Sequence, residues 1–309
     1  MFRYDQLVKQ PSSFRALTGV SLAEFADLFA RFEPVWWQLE QQRLQRPSRQ
    51  RKIGAGRKYA LDLKSQLVMT LVWMHLYLTT QTLGILFGLS KSAISRDTRR
   101  TVNALRQVAG DSLWWQEPPA KNEGKSLPQV VTEHPDLLAI LDVMEVTIQR
   151  PHQAEPQNAH YSGKKKAHTR KVGVIVNEQG RFRGVTDSRP GRTHDLTVFR
   201  QSGLLTEIPK DTCALGDKAF IGLQNDLPEH SVGTPFKPGK KTPLTEAERW
   251  ANRDLSRQRI MVENSIAELR HFKILAERFR HAVAWVTEVV FAVVAIVNHR
   301  IACRLAAAE

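Results

Sequence analysis

Asp142 is the residue of this sequence that most needs a chemical reason. It stands inside LLAILDVMEVTI (residues 137–148), an apolar run with the composition of a buried strand. A carboxylate there is costly unless a cation neutralises it or a metal ion binds it. Asp217 follows a second short apolar run, TCAL (212–215), and Glu263 lies in RIMVENSIAELRHF, which repeats with helical spacing. The three are 75 and 46 residues apart in the chain. Carboxylates converging from distant elements supply the oxygen donors that hard divalent cations prefer. A pair of such ions can activate an attacking oxygen and stabilise a leaving one at a phosphodiester. Pairing of Asp142 with an arginine is the plain structural alternative. Glu145, three residues along the same strand, faces the other side and is a poorer ligand. Asp195, in RTHDLTVF, competes with Asp217 for the middle position.

The elements around these residues predict how they are held. Lys171–Asn177 (KVGVIVN) and Arg181–Asp187 (RFRGVTD) read as two strands joined by a turn, following the first strand and the polar, basic loop Gln149–His168. His194–Ser202 reads as a helix, and TCAL as a short buried strand ending at Gly216–Asp217. A proline-containing stretch leads to a long helix at Thr245–Phe272 and an apolar one at Ala284–Leu305. The order β-β-β-α-β-insert-α is an α/β arrangement of the ribonuclease H type: a mixed sheet flanked by helices, with three antiparallel strands and a crossover to a parallel one. In that order Asp195 opens a helix, where an Asp caps or favours the dipole. Asp217, at a strand end beside the strand of Asp142, is the better-placed ligand.

The first third of the chain is helical and basic. Residues 1–110 hold 17 Lys/Arg against 7 Asp/Glu, so +10 of the net +14 lies there. That favours a polyanionic partner. Ser21 caps LAEFADLFARF, whose apolar residues recur at helical spacing. Arg43–Tyr59 (RLQRPSRQRKIGAGRKY) has too few apolar residues to build a core and reads as a basic arm or linker. Leu61–Leu105 reads as three helices, with Gly88–Leu89–Ser90 between the second and third, a helix-turn-helix pattern. Lys91, Ser92, Ser95, Arg96, Arg99 and Arg100 are expected on the exposed side of the third helix, and Ala93, Ile94, Val102 and Leu105 inside; a generic helical hairpin is the alternative. The boundaries that follow are a helical DNA-binding domain at 1–110, a linker at 111–135 and a catalytic domain with its C-terminal helix at 136–309. Lys164, Lys165, Lys166, Arg170 and Lys171 form a second basic cluster beside the strands, suited to DNA-backbone contact. The cysteines, Cys213 and Cys303, lie in no CxxC or Cys/His cluster and read as buried small residues of a reducing compartment, not as a zinc site. The longest apolar run, Val289–Val297, is short for a membrane span, which needs about 20 residues.

The run YSGKKKAHTRKVGVIVNEQGRF, then PGRTHDLTVF, GDKAF and RIMVENSIAELRHFKIL, resembles the catalytic domain of DDE transposases of bacterial insertion sequences, in the group related to PIF/Harbinger transposases. The resemblance covers about residues 50–280, helix-turn-helix included. It implies Asp142, Asp217 and Glu263 as catalytic metal ligands, with Arg259 and Arg270 matching basic positions of the helix motif and Arg259 expected at DNA. Ser256 stands where the family commonly has Tyr. Two Mg²⁺ ions are implied, with Mn²⁺ able to substitute. So are terminal inverted repeats and target DNA as partners, a homodimer or higher oligomer on DNA, no membrane, and a cytoplasmic, nucleoid-associated location. The rival functions are a domesticated DNA-binding regulator without catalysis and a ribonuclease H-like nuclease without strand transfer.

Overall fold

The computed structural model describes residues 1–45, 50, 52, 59–113, 115, 135–239 and 242–308. Most of the expected basic arm and of the connector at 111–135 lies outside these residues. The chain forms two compact units. One comprises Met1–Ser112, Leu269–Glu277 and Glu288–Glu309, the other Leu113–Glu268 and Arg278–Thr287.

The first unit begins with α1 (Tyr4–Leu7), α2 (Pro11–Thr18) and α3 (Leu22–Leu44). Ser21 and Glu24 close a capping box at the start of α3, and the helix runs on through Pro34. Helix α4 (Leu63–Leu76) starts at Asp62, whose carboxylate accepts from the Ser65 N–H at 2.9 Å. Ser65–Met74 are all buried, as suits a helix that is apolar on every side. Helices α5 (Thr80–Phe87) and α6 (Lys91–Ser112) enclose the tight turn. Gly88 takes a left-handed conformation at φ 70°, and Ser90 Oγ accepts from the Ala93 N–H at 3.3 Å. A Cβ at Gly84 would lie 2.7 Å from the Leu89 carbonyl oxygen, so this turn needs glycine there.

The second unit contains β1 (Leu138–Thr147), α7 (Ala154–His160), β2 (Tyr161–Ser162), β3 (Ala167–Val176), β4 (Phe182–Val185), β5 (Arg189–Pro190), α8 (Asp195–Arg200), β6 (Cys213–Leu215), α9 (Leu223–Asp226), β7 (Val232–Gly233) and α10 (Glu246–Arg270). β3 pairs antiparallel with β1 and β4, while β6 runs parallel to β1 and β7 parallel to β6. The path β4-β3-β1-β6-β7 is the ribonuclease H-like order, and the expected fold class holds. β1 alternates its faces as a strand must. Ala139 and Leu141 join Ile175, Leu196, Phe199 and Phe220 in the core on one side. Leu138 and Ile140 line a groove with Ile260 and Met261 of α10 on the other.

Buried polar groups fasten the start of the sheet. Asp136, 4% exposed, accepts from Arg183 Nε and Asn177 Nδ2, each at 2.7 Å, and its backbone carbonyl accepts from Thr212 Oγ1 at 3.0 Å. One buried residue thus ties the strands β1, β3 and β4 and the entry to β6.

Two helices complete the chain, α11 (Lys273–Ala276) and α12 (Val286–Ala306). From Glu288 onward α12 belongs to the first unit, where Ala295 and Phe291 pack with Val35, Val108 and Ala109. Val283–Ala306 is apolar enough and long enough to cross a membrane, and 61% of its most apolar window is buried within the protein.

Candidate active site and DNA-binding surface

The sheet register brings Asp142 and Asp217 level. Ile140 pairs with Leu215 across the parallel β1–β6 ladder, and each Asp lies two residues further along its own chain. Asp217 leaves the strand through Gly216, where a Cβ would meet Phe220 Cβ at 2.5 Å. Its Oδ1 then accepts from the Ala219 N–H at 2.8 Å, fixing the carboxylate at the strand's carboxyl end.

Asp142 is held by less. Its Oδ1 accepts from the Val143 N–H at 2.7 Å, and its Oδ2 lies 3.9 Å from the Arg259 guanidinium. Burial pushes its pKa up; the Val143 N–H and Arg259 oppose that shift, and the negative charges of Asp217 and Asp195 reinforce it. Burial is the largest of these causes, so the shift marks a carboxylate held largely out of water.

Asp195, the competitor for the middle position, has a counter-ion. Lys171 Nζ donates to its Oδ1 at 2.7 Å and to the Thr193 carbonyl at 2.8 Å. Glu145 accepts from Thr169 Oγ1 at 2.8 Å, on the far side of the strand pattern from Asp142. Glu263 is exposed on α10, one turn beyond Arg259, about 6 Å along the axis. Among the described residues, the group of three ligand side chains with its atoms within 4.8 Å of one another lies elsewhere, and Asp142, Asp217 and Glu263 do not form one. Ligands shared between two ions about 3.5–4 Å apart span a wider space than that. The all-oxygen donor set fits a hard divalent cation.

The basic residues differ in exposure and in how far they are engaged. Lys164, Lys165 and Lys166 form the exposed turn between β2 and β3, with Lys166 at φ 49°. Arg170 is half-buried: its guanidinium donates to the Ser188 hydroxyl and backbone carbonyl, so little of it is left for DNA. Arg259 is 14% exposed and its Nε has no hydrogen-bond partner. On α6, Lys91, Ser92, Ser95, Arg96 and Arg99 are exposed, whereas Ile94, Val102 and Leu105 are fully buried. Arg100 departs from its neighbours. It lies 5.2 Å from the Tyr59 ring centre and 3.8 Å from Asp97, facing the helical core as much as solvent.

The expectation of buried cysteines needs correction, because both Cys213 and Cys303 are only half-buried. Trp250 is 65% exposed. The sequence reading missed the Lys171–Asp195 pair and the Asp136 hub; an isolated Asp just before a strand was the one available signal for the latter.

A family model described as DDE superfamily endonuclease matches residues 141–298, just over half of the chain, and spans Asp142, Asp217 and Glu263. The chain belongs to this family. A companion model, the helix-turn-helix of DDE superfamily endonuclease, matches residues 59–111, which cover α4, α5 and all but the last residue of α6. A relative described as "Probable transposase for insertion sequence element IS702", from Microchaete diplosiphon, is 29% identical over 233 residues, 75% of this chain and 78% of that protein. "Protein ALP1-like" of Arabidopsis thaliana is 26% identical over 177 residues, 54% of this chain and 43% of that protein, so the chain spans less than half of the plant relative. The likeness to DDE transposases of insertion sequences read from the motifs holds, and the helix-turn-helix marks the family member as DNA-binding.

Proposed function

We propose that this protein is the transposase of an insertion sequence: it binds the terminal inverted repeats, cuts the DNA strand at the element end and joins it to target DNA. The observation that carries the reading is the levelling of Asp142 and Asp217 on adjacent parallel strands, within a match to the endonuclease family. Asp142 and Asp217, joined by Glu263 from α10, would hold two Mg²⁺, with Mn²⁺ able to substitute. When bound, such ions lower the pKa of the attacking oxygen and stabilise the leaving one.

The chain's own residues do the positioning. Lys164, Lys165 and Lys166 bind the DNA backbone beside the sheet, and Arg259 donates to a phosphate near Asp142. Lys91, Ser92, Ser95, Arg96 and Arg99 read base edges from the start of α6, the part of a recognition helix that enters the major groove. Pairing of two ends needs at least two protomers, so the working form is a dimer or larger, acting on DNA in the cytoplasm.

The test is incubation of the full chain with Mg²⁺ and DNA carrying the element ends. Joined products support the transposase. Cleavage without joining points to a nuclease, and binding without cleavage to a regulator. Asp142→Ala should abolish cleavage and leave end binding intact; cleavage by that variant would overturn the assignment.

A further inference from the structure

Asp27, His299 and Cys303 form a donor group in the first unit that the proposed reaction does not use. Their ligand atoms all lie within 4.8 Å of one another. His299 and Cys303 are four residues apart on α12, hence on one face of the helix, and Asp27 comes from α3. Cys303 Sγ is 3.4 Å from His299 Nε2 and 4.0 Å from Asp27 Oδ2. Zinc bonds of about 2.0–2.3 Å at tetrahedral angles set nitrogen, oxygen and sulfur donors about 3.5 Å apart. The group is therefore within about half an ångström of closing on such an ion at both measured edges.

His299 is the buried member of the group. His299 is 5% exposed, yet its Nδ1 has no hydrogen-bond partner, while Nε2 lies 2.8 Å from the Glu24 carbonyl oxygen. A buried imidazole with an unused nitrogen is costly unless the ring has another role. Ligation at Nε2 would replace its hydrogen bond to the Glu24 carbonyl oxygen and shift the ring proton to Nδ1. All three side chains line a groove of about 950 Å³, which also gives an ion a way in.

We propose that Asp27, His299 and Cys303 are a site for a transition metal of the zinc class, linking α3 to α12 and leaving a coordination position open to the groove. The donor set decides the metal. Sulfur and imidazole suit Zn²⁺ and its neighbours, whereas Mg²⁺ takes oxygen ligands. Arg31 and Arg300 also line the groove and disfavour a cation held by charge alone, which again selects thiolate bonding. The site is thus chemically distinct from the carboxylates of the sheet and does not depend on their assignment.

The experiment is titration of the chelator-treated full chain with Co²⁺, following the thiolate-to-metal charge-transfer absorption, with thermal melting in Zn²⁺ alongside. One equivalent of Co²⁺ should give the band. Cys303→Ser should abolish it, and His299→Gln or Asp27→Asn should weaken binding by at least about tenfold, the scale set by losing even a supporting group of a metal site. Cys213→Ser and Asp142→Asn should leave the band unchanged, and excess Mg²⁺ should not displace the ion. Zn²⁺ should raise the Tm of the wild type but not of Cys303→Ser, which also reports whether that variant is folded. Absence of the band, its survival in Cys303→Ser, or an equal Tm rise in both proteins would overturn the proposal.

Discussion

Asp136→Ala should cost the second unit far more than any change at the exposed carboxylates. The Asp136 carboxylate and Arg183 are buried at 3% and 5% side-chain exposure and 2.7 Å apart. Removing the carboxylate leaves the guanidinium buried without it, a loss of about 3–5 kcal/mol. The Asn177 amide also loses its acceptor, adding about 1 kcal/mol. Each kcal/mol lowers Tm by about 2–4 °C in a unit of this size, so the expected fall is about 8–24 °C. Thermal unfolding in metal-free buffer, followed by circular dichroism and calorimetry, measures it. The double variant Asp136→Ala/Arg183→Met removes the stranded charge and should recover a large part of the loss. A single variant within about 2 °C of wild type, or a double variant no more stable than the single, would refute the account of the hub.

Asp142→Asn should raise the metal-free Tm at pH 7 while abolishing cleavage. The folded carboxyl titrates above its ordinary value of 3.8, so the favourable contribution is complete below that pH and lost as pH rises through the folded value. The gap between variant and wild type should therefore close on acidification, and a lower Tm for the variant at pH 7 contradicts the reading. Changing Lys164, Lys165 and Lys166 together to Ala should weaken binding to all DNA sequences and reduce the slope of log K against log salt by up to about 2.7, some 0.9 per phosphate contact. An unchanged slope would remove these lysines from the interface. Arg96→Ala should cost about 1–3 kcal/mol of preference for end DNA over unrelated DNA; equal losses on both would make Arg96 a backbone contact.

The parts of the fold legible in sequence were those with a periodic apolar face. β1, β3 and α10 each repeat long enough to declare their type, and loop lengths fixed the antiparallel pairing of the first strands. The strands β2, β5 and β7 have two residues each, too few to show alternation. Helix α7 hides in a stretch expected as loop because AEPQNAH carries a proline and buries none of its residues. The apolarity of α12 announced a buried helix, but not that its Phe291 and Ala295 pack with residues of α3 and α6, because burial is one-body information and partners are not. The same limit applied at the site. Asp142 was conspicuous because its strand is apolar, whereas Lys171 and Asp195 are 24 residues apart on different elements and nothing local couples them.

That pair bears on the choice of the middle carboxylate. Asp195 and Asp217 both act on Asp142 electrostatically, so neither is remote from the site. A carboxylate bound to an ammonium at 2.7 Å is partly neutralised and so competes less well for a divalent cation. Asp217 bonds through one oxygen to a backbone N–H, which orients the group without neutralising it. Its position level with Asp142 comes from the parallel ladder, and its aim from the turn that Gly216 permits. Charge and geometry therefore favour Asp217 as the ligand. Under the proposed assignment Asp195 would have a supporting role, holding Lys171 in place.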